Sequence, residues 1–224
     1  MKTVLLDIDD TIFDFTLSAK AAILSAAKEF KIAFTEEMFS YYMQLNELLW
    51  EDYENCIIER EDIFKIRFPK LFEHFNIPSN GIDFEAAFQE HFKTEYIFMD
   101  GAKNTIEYLA KKYELYVVSN SMYETQYCRL TKAGICKYFK EIFVSDKIGH
   151  QKPTKDFFDC CFKNIPNFNP KDTIIIGDSL TSDIAGGNNA GIKTCWFNYK
   201  KIPNTKHEKS DYEITNWEEI KSVL

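Results

Sequence analysis

The chain predicts an α/β protein, a Rossmann-like parallel sheet core carrying an inserted bundle of four helices. Three observations lead there. The short apolar runs Thr3-Val4-Leu5-Leu6, Glu114-Leu115-Tyr116-Val117-Val118 and Thr173-Ile174-Ile175-Ile176 have the continuous character of parallel strands buried on both faces. Past residue 98, runs of this kind alternate with helical periodicity, as βαβ units with right-handed crossovers require. Between the first and second runs the pattern is helical throughout.

The first strand ends at Asp7. Apolar residues then recur at spacings of three and four: Ala19, Ala22, Ile23, Ala26 and Phe30, followed by Phe39, Tyr42, Met43, Leu49, Trp50 and Tyr53. A third helix is marked by Phe64, Phe68, Leu71, Phe72 and Phe75, and Pro78-Ser79-Asn80-Gly81 breaks it. Phe84, Ala87, Phe88, His91 and Phe92 mark a fourth. Four amphipathic helices with short links predict a small bundle. After Asp100-Gly101 the expected order is a helix over 103–112, a strand ending at Ser119, a helix over 125–132, a strand over 141–145 and a helix over 155–163. Strands over 173–176 and 193–197 follow, and Asn216-Trp217-Glu218-Glu219 reads as a capping box opening a last helix. The expected division is a core from residues 1–14 and 98–224, with the helical insertion at 15–97.

Composition narrows the partners. With 224 residues and 45% hydrophobic content, the chain can bury a substantial core. Its 27 basic and 35 acidic residues give a net charge of -8, which argues against a nucleic-acid polymer or an anionic membrane as the main partner. A small phosphorylated molecule is still allowed, because local cations can neutralise it. Six cysteines without a C-x-x-C framework read as reduced thiols. The opening apolar run is too short for a signal peptide, and no stretch approaches membrane-spanning length. The expected location is the cytoplasm.

Four clusters can do chemistry, and most follow a strand: Asp7-Ile8-Asp9-Asp10-Thr11, Ser119-Asn120, Lys152-Pro153 and Gly177-Asp178-Ser179-Leu180-Thr181-Ser182-Asp183. Open α/β sheets bind ligands beyond the carboxyl ends of their strands, so these groups are expected in one crevice. Two carboxyl groups as close as Asp7 and Asp9 disfavour joint ionisation, so a cation can hold one charged while the other keeps a proton. Asp7 is then the nucleophile toward phosphorus, and Asp9 the general acid that later activates water. Gly177 permits a tight turn that keeps Asp178 and Asp183 near the same mouth, where hard oxygen ligands suit Mg2+. Asp183 reads equally as a first-turn helix acid, with Gly191 closing that helix. Ser119 and Asn120 are either cap and turn residues or, in a phosphate crevice, donors to its oxygens. Lys152 is either solvated or a phosphate-binding cation positioned by Pro153 at a helix start, where it could also restrain Asp7 as a charged nucleophile. His74 and His91 read as structural, while His150 lies near Lys152 without a second histidine or cysteine to make it a ligand. Asn46, Trp50 and Tyr53 share one helical face and are candidates for contacting a leaving group.

Taken in order, the four clusters resemble those of the haloacid dehalogenase-like superfamily of Asp-nucleophile phosphatases, over nearly the whole chain. In that resemblance D-x-D-x-T is Asp7, Asp9 and Thr11, the second motif is Ser119, the third Lys152, and G-D-x-x-x-x-D is Gly177, Asp178 and Asp183. It implies that the helical insertion is a type 1 cap closing over the core. It also implies Mg2+ held by the Asp7 carboxylate, the Asp9 backbone carbonyl and Asp178, with Asp183 bound directly or through water. The stretch 45–55 and Cys195-Trp196-Phe197-Asn198 are most similar to bacterial pyrimidine nucleoside 5'-monophosphatases. Three positions depart from that pattern: Cys56 and Ser121 where glycines are expected, and His150 in place of a smaller residue. The expected activity is hydrolysis of a small phosphomonoester, a nucleoside 5'-monophosphate first. A sugar-phosphate phosphatase is the main alternative, ahead of a phosphomutase, a dehalogenase and a non-catalytic phosphate-binding protein.

Overall fold

A computed structural model describes residues 2–224. The chain divides into two compact units: one runs to Phe15 and resumes over Tyr96–Leu224, and the other is Thr16–Glu95.

The first unit is built on six parallel strands: β1 (Thr3–Leu6), β2 (Glu114–Ser119), β3 (Phe139–Val144), β4 (Thr173–Gly177), β5 (Lys193–Phe197) and β6 (Tyr212–Ile214). Their order in the sheet is β3-β2-β1-β4-β5-β6. β1 lies at the centre, with Leu6 level with Val117 on one side and Ile176 on the other. The strand order reverses direction at β1, so the crevice of the switch point opens beyond Leu6, Ser119 and Gly177. Alternate side chains enter opposite layers, which is why the runs are apolar without interruption. Val4, Leu6, Val117, Ile174 and Ile176 pack with Ile106, Trp217 and Ile220. Leu5, Tyr116, Val118 and Ile175 pack with Phe157, Phe158 and Cys161.

The second unit carries α1 (Phe15–Phe30), α2 (Glu36–Glu54), α3 (Arg60–His74) and α4 (Gly81–Phe92). Its interior is aromatic: Phe68 lies 4.7 Å from Phe84, 5.2 Å from Tyr42 and 5.4 Å from Phe88, centroid to centroid. Gly81 starts α4 hard against α3, where a Cβ would lie 2.5 Å from the Pro69 nitrogen, so only glycine permits this approach.

The remaining helices are α5 (Ala102–Leu109), α6 (Tyr123–Lys132), α7 (Ser145–Ile148), α8 (Lys155–Lys163), α9 (Ala185–Ala190) and α10 (Ile220–Val223). The short helix α7, directly after β3, has no counterpart in the sequence expectation, and two further details differ from it. β6 is not expected from the sequence, because three residues with Glu213 in the middle carry no strand signal, and pairing with β5 creates the element. The capping residues at Asn216 open a 3-10 turn, Trp217–Glu219, before α10. Gly191 closes α9 in the left-handed conformation, as its position predicts.

Candidate active site

Asp7 is the first residue beyond β1, and its N–H still donates to Ile176 O at 3.0 Å, so the ladder fixes where its carboxylate emerges. The chain then turns tightly over one carbonyl. Ile8 O accepts from the N–H groups of Thr11, Ile12 and Phe13. Asp10 takes a left-handed φ of 58° in this turn, and its carboxylate accepts the Phe15 N–H at 3.0 Å and the Lys200 ammonium at 3.2 Å. The Trp217 indole donates to Thr11 O at 2.9 Å, pinning the loop from beneath.

Lys152, 1% exposed, makes three donations with its ammonium: to Asp7 Oδ1 at 2.7 Å, Asp183 Oδ1 at 2.6 Å and Val118 O at 3.0 Å. Of the two sequence readings of this lysine, the positioned cation is the one observed. Asn120 provides the clamp. Its Oδ1 accepts from the Lys152 N–H at 2.8 Å and its Nδ2 donates to Lys152 O at 3.0 Å, so its side chain is occupied by the lysine backbone. The Lys152–Pro153 peptide is cis, and α8 begins only at Lys155, with Thr154 as N-cap; Pro153 does not itself start the helix.

Gly177, Asp178 and Asp183 close the arrangement. The Asp178 N–H donates to Thr11 Oγ1 at 3.1 Å, and Thr11 Oγ1 lies 3.4 Å from Asp178 Oδ1, linking the first and fourth clusters. The Trp196 indole donates to Asp178 O at 2.8 Å. Asp183, 1% exposed, accepts the Ser179 N–H on Oδ2 at 3.2 Å and Lys152 on Oδ1.

Each of Asp7, Asp178 and Asp183 offers an oxygen, and these oxygens all lie within 4.8 Å of one another. Burial pushes Asp7 up to about 8; Lys152 opposes this and the Asp183 charge adds to it. Burial likewise raises Asp178 well above the usual carboxylate range, reinforced by Asp10, Asp7 and Asp183. For Lys152 burial works against the ammonium, but Asp183 and Asp7 outweigh it and hold the group charged. The group thus sets three buried or half-buried carboxylates against one ammonium, which bonds to two of them. A second, divalent cation fits both the charge and the donor set, since Mg2+ prefers hard oxygen ligands and keeps some of its waters.

Asp9 lies outside this carboxylate group, though its charge still raises Asp7, and it is held from α6. Its Oδ1 accepts from Arg129 Nη1 at 2.6 Å and its Oδ2 from Gln126 Nε2 at 2.7 Å, both donors lying on α6. Gln126 Nε2 also reaches Ser119 Oγ at 3.3 Å, and the Ser121 N–H donates to the same oxygen at 3.2 Å. With two donors directed at its oxygen, the Ser119 hydroxyl has its own proton to offer an anion. Gln126 and Arg129 do not stand out in the sequence as site residues. Their signal was available as two polar residues spaced i, i+3 on the helix that follows Ser119, but nothing in that spacing says they turn inward.

His150 is exposed. His74 stacks on Tyr41 at 4.2 Å, and His91 meets Glu29 at 2.8 Å. In the helical unit, Asn46 is 5% exposed and its Oδ1 accepts from Arg67 Nη1 at 2.8 Å. Arg67 in turn makes a bidentate pair with Glu85, both contacts at 2.7 Å. Trp50 is half-buried and packs edge-on against buried Tyr53 at 5.7 Å.

A central-strand aspartate, a buried lysine and paired acids over the carboxyl edge of this sheet define a class of enzyme as well as a fold. Residues 4–197 match the model of the haloacid dehalogenase-like hydrolases, and the chain belongs to that family. It is 36% identical over 223 residues to the HAD-hydrolase YfnB of Bacillus subtilis, covering 100% of this chain and 95% of the relative. It is also 32% identical to the pyrimidine 5'-nucleotidase PynA of Streptococcus pneumoniae, covering 100% and 94%, and 25% identical to the pyrimidine 5'-nucleotidase YjjG of Escherichia coli, covering 99% and 96%. A crystal structure of YfnB from Bacillus subtilis, bound to magnesium and described as revealing interdomain movement, superposes with a TM-score of 0.95 at 36% identity, covering 100% and 98%. Among the described residues no helix is long and apolar enough to cross a membrane.

Proposed function

We propose that the chain is a Mg2+-dependent phosphomonoesterase acting through an aspartyl-phosphate, with a nucleoside 5'-monophosphate as its substrate. The observation that carries this reading is the Lys152 ammonium bridging Asp7 and Asp183 beside Asp178, at the switch point of the sheet. Full-length similarity to two pyrimidine 5'-nucleotidases supports the choice of leaving group.

The Asp7 and Asp178 carboxylates and the Asp9 backbone carbonyl would hold Mg2+, with Asp183 binding directly or through water. Bound there, the ion supplies charge neutralisation and an anchor for a phosphoryl oxygen. Lys152 orients Asp7 and, together with a bound cation, would offset the burial that favours its protonated form, so that a carboxylate oxygen can attack phosphorus in line with the departing group. Ser119 Oγ and the Asn120 backbone N–H donate to the phosphoryl oxygens, adding fixed dipoles where charge is concentrated. Asp9 gives its proton to the leaving oxygen and afterwards takes one from the water that cleaves the acyl phosphate. Trp50, with the greatest exposure of the three α2 candidates, is the proposed leaving-group contact; buried Tyr53 and Asn46 shape its surroundings. The helical unit acts as the cap, and the enzyme works in the cytoplasm with its six free thiols reduced.

The test is phosphate release from a panel of nucleotides and sugar phosphates, with Mg2+ and then with excess chelator. Release from nucleotides that chelation abolishes, and that Asp7→Asn also abolishes, supports the reading. Undiminished turnover by folded Asp7→Asn removes the nucleophile. For the leaving group, Trp50→Ala should impair nucleotide hydrolysis more than that of a small aryl phosphate, and equal impairment rejects the contact.

A further inference from the structure

The proposed proton-transfer residue does not choose its own orientation. Asp9 receives a charged donor on one oxygen, from Arg129 at 2.6 Å, and a neutral one on the other, from Gln126 at 2.7 Å. The two donors are themselves joined, since Arg129 Nη1 donates to Gln126 Oε1 at 3.1 Å. Both are fully buried, and the guanidinium lies over the Phe13 ring at 5.0 Å. Long side chains lose much rotational freedom when packed in this way, so the pair presents a rigid face to Asp9. Gln126 carries the link further, because the same amide nitrogen reaches Ser119 Oγ at 3.3 Å.

We propose that Gln126 and Arg129 are positioning residues for the reaction of this site: together they set the Asp9 carboxyl for proton transfer, and Gln126 couples it to Ser119. This rests on the phosphomonoesterase reading above. In the first half-reaction the Asp7 oxygen bonds to phosphorus, and the bond from phosphorus to the leaving oxygen breaks with its electron pair going to that oxygen. The oxygen takes the Asp9 proton. The carboxylate that remains faces donors already in place, which is the arrangement that lowers a barrier without reorganisation. In the second half-reaction water bonds to phosphorus, Asp9 recovers the proton, and the Asp7 oxygen leaves. A purely structural role for Arg129, neutralising Asp9 in the folded chain, would be indifferent to the leaving group.

That difference supplies the experiment. A nucleoside alkoxide needs a proton to depart, whereas p-nitrophenolate departs without one. The measurement is the pre-steady-state release of each leaving group by the full chain with Mg2+, for wild type, Arg129→Met, Arg129→Lys and Gln126→Leu. Nucleoside release should slow by about 10²-fold in Arg129→Met, with KM little changed, while the nitrophenolate burst stays near wild type. Arg129→Lys should recover part of the loss, and Gln126→Leu, which leaves the ion pair in place, should show the same selectivity to a smaller degree and reads the effect even where Arg129→Met fails to fold. Equal slowing of both leaving groups, or a change confined to KM, overturns the inference while leaving the phosphatase reading intact. Wild-type protein that releases phosphate from neither ester overturns both.

Discussion

A methyl group at Gly177 would lie 2.2 Å from the Asp183 carboxyl carbon, so the last residue of β4 has no side chain because Asp183 occupies its place. Gly177 is not in a left-handed conformation, so this close approach, and not the tight turn the sequence suggests, is what requires glycine. Asp183 returns over the strand end, anchors Lys152 and accepts the Ser179 N–H, all in the space a Cβ would take.

Gly177→Ala is accordingly expected to push Asp183 away from Lys152. The overpacking should cost about 1–3 kcal/mol of stability, and the displaced carboxylate should weaken Mg2+ binding. Thermal melts and the Mg2+ dependence of phosphate release check it; a variant with unchanged values in both would show that the loop accommodates the methyl freely.

Removal of Mg2+ should expose a pH dependence with a definite sign. Asp7 ionises at the ordinary aspartate value of 3.8 when unfolded; in the metal-free fold burial raises it to about 8, and Asp178 is raised in the same direction. From about pH 4 to 8 the folded chain then binds more protons than the unfolded one, so stability falls as pH rises. Glu61 and Glu219, both lowered, act oppositely at the acid end of that window alone. Chelated protein should melt lower at pH 8 than at pH 6, and Mg2+ should restore more at pH 8. A metal-induced shift independent of pH would contradict this.

Trp196→Phe retains the ring at a buried position but removes the N–H that holds Asp178 O. Partners one step removed from a metal ligand typically tune affinity by 10- to 100-fold, and a loss of roughly 10-fold in half-saturating Mg2+ is expected with little change in the saturated rate. A loss in the saturated rate alone would assign Trp196 to another role.

In the helical unit, Arg67→Met should destabilise by about 3–5 kcal/mol, because it strands Glu85 as a buried carboxylate without its bidentate partner. The double variant Arg67→Met with Glu85→Leu should recover much of that loss. Denaturant unfolding of wild type, Arg67→Met, Glu85→Leu and the double variant measures it, and additive effects would mean that the pair contributes no coupling.

The residues legible in the sequence share one property. Asp7, Ser119 and Asp178 sit at or just beyond the ends of strands whose apolar runs are unmistakable, and strand ends in a parallel sheet share one edge. Local pattern therefore fixed both element and location. Lys152 and Asp183 were legible as residue types beside those ends, but their mutual contact was not. Asn120 is legible as a residue at a strand end whose backbone N–H can meet a phosphate, whereas the use of its side chain as the clamp on the Lys152 backbone is not. Asn46 shares a helical face with Trp50 and Tyr53, yet its amide oxygen is taken by Arg67 from α3. In both cases periodicity shows which face a side chain leaves from, and says nothing about the partner waiting there.

By itself the sequence determined the alternation of strand and helix, the insertion of four helices, and the acids and lysine available at one edge of a parallel sheet. These follow from short-range periodicity and from the rule that such sheets bind ligands at their carboxyl ends. Long-range packing is what makes Lys152 bridge Asp7 and Asp183, sets Gln126 and Arg129 on Asp9, and creates β6. Those outcomes depend on pairs distant in the chain. A buried donor takes the acceptor that packing leaves beside it, and packing is settled by the whole core at once.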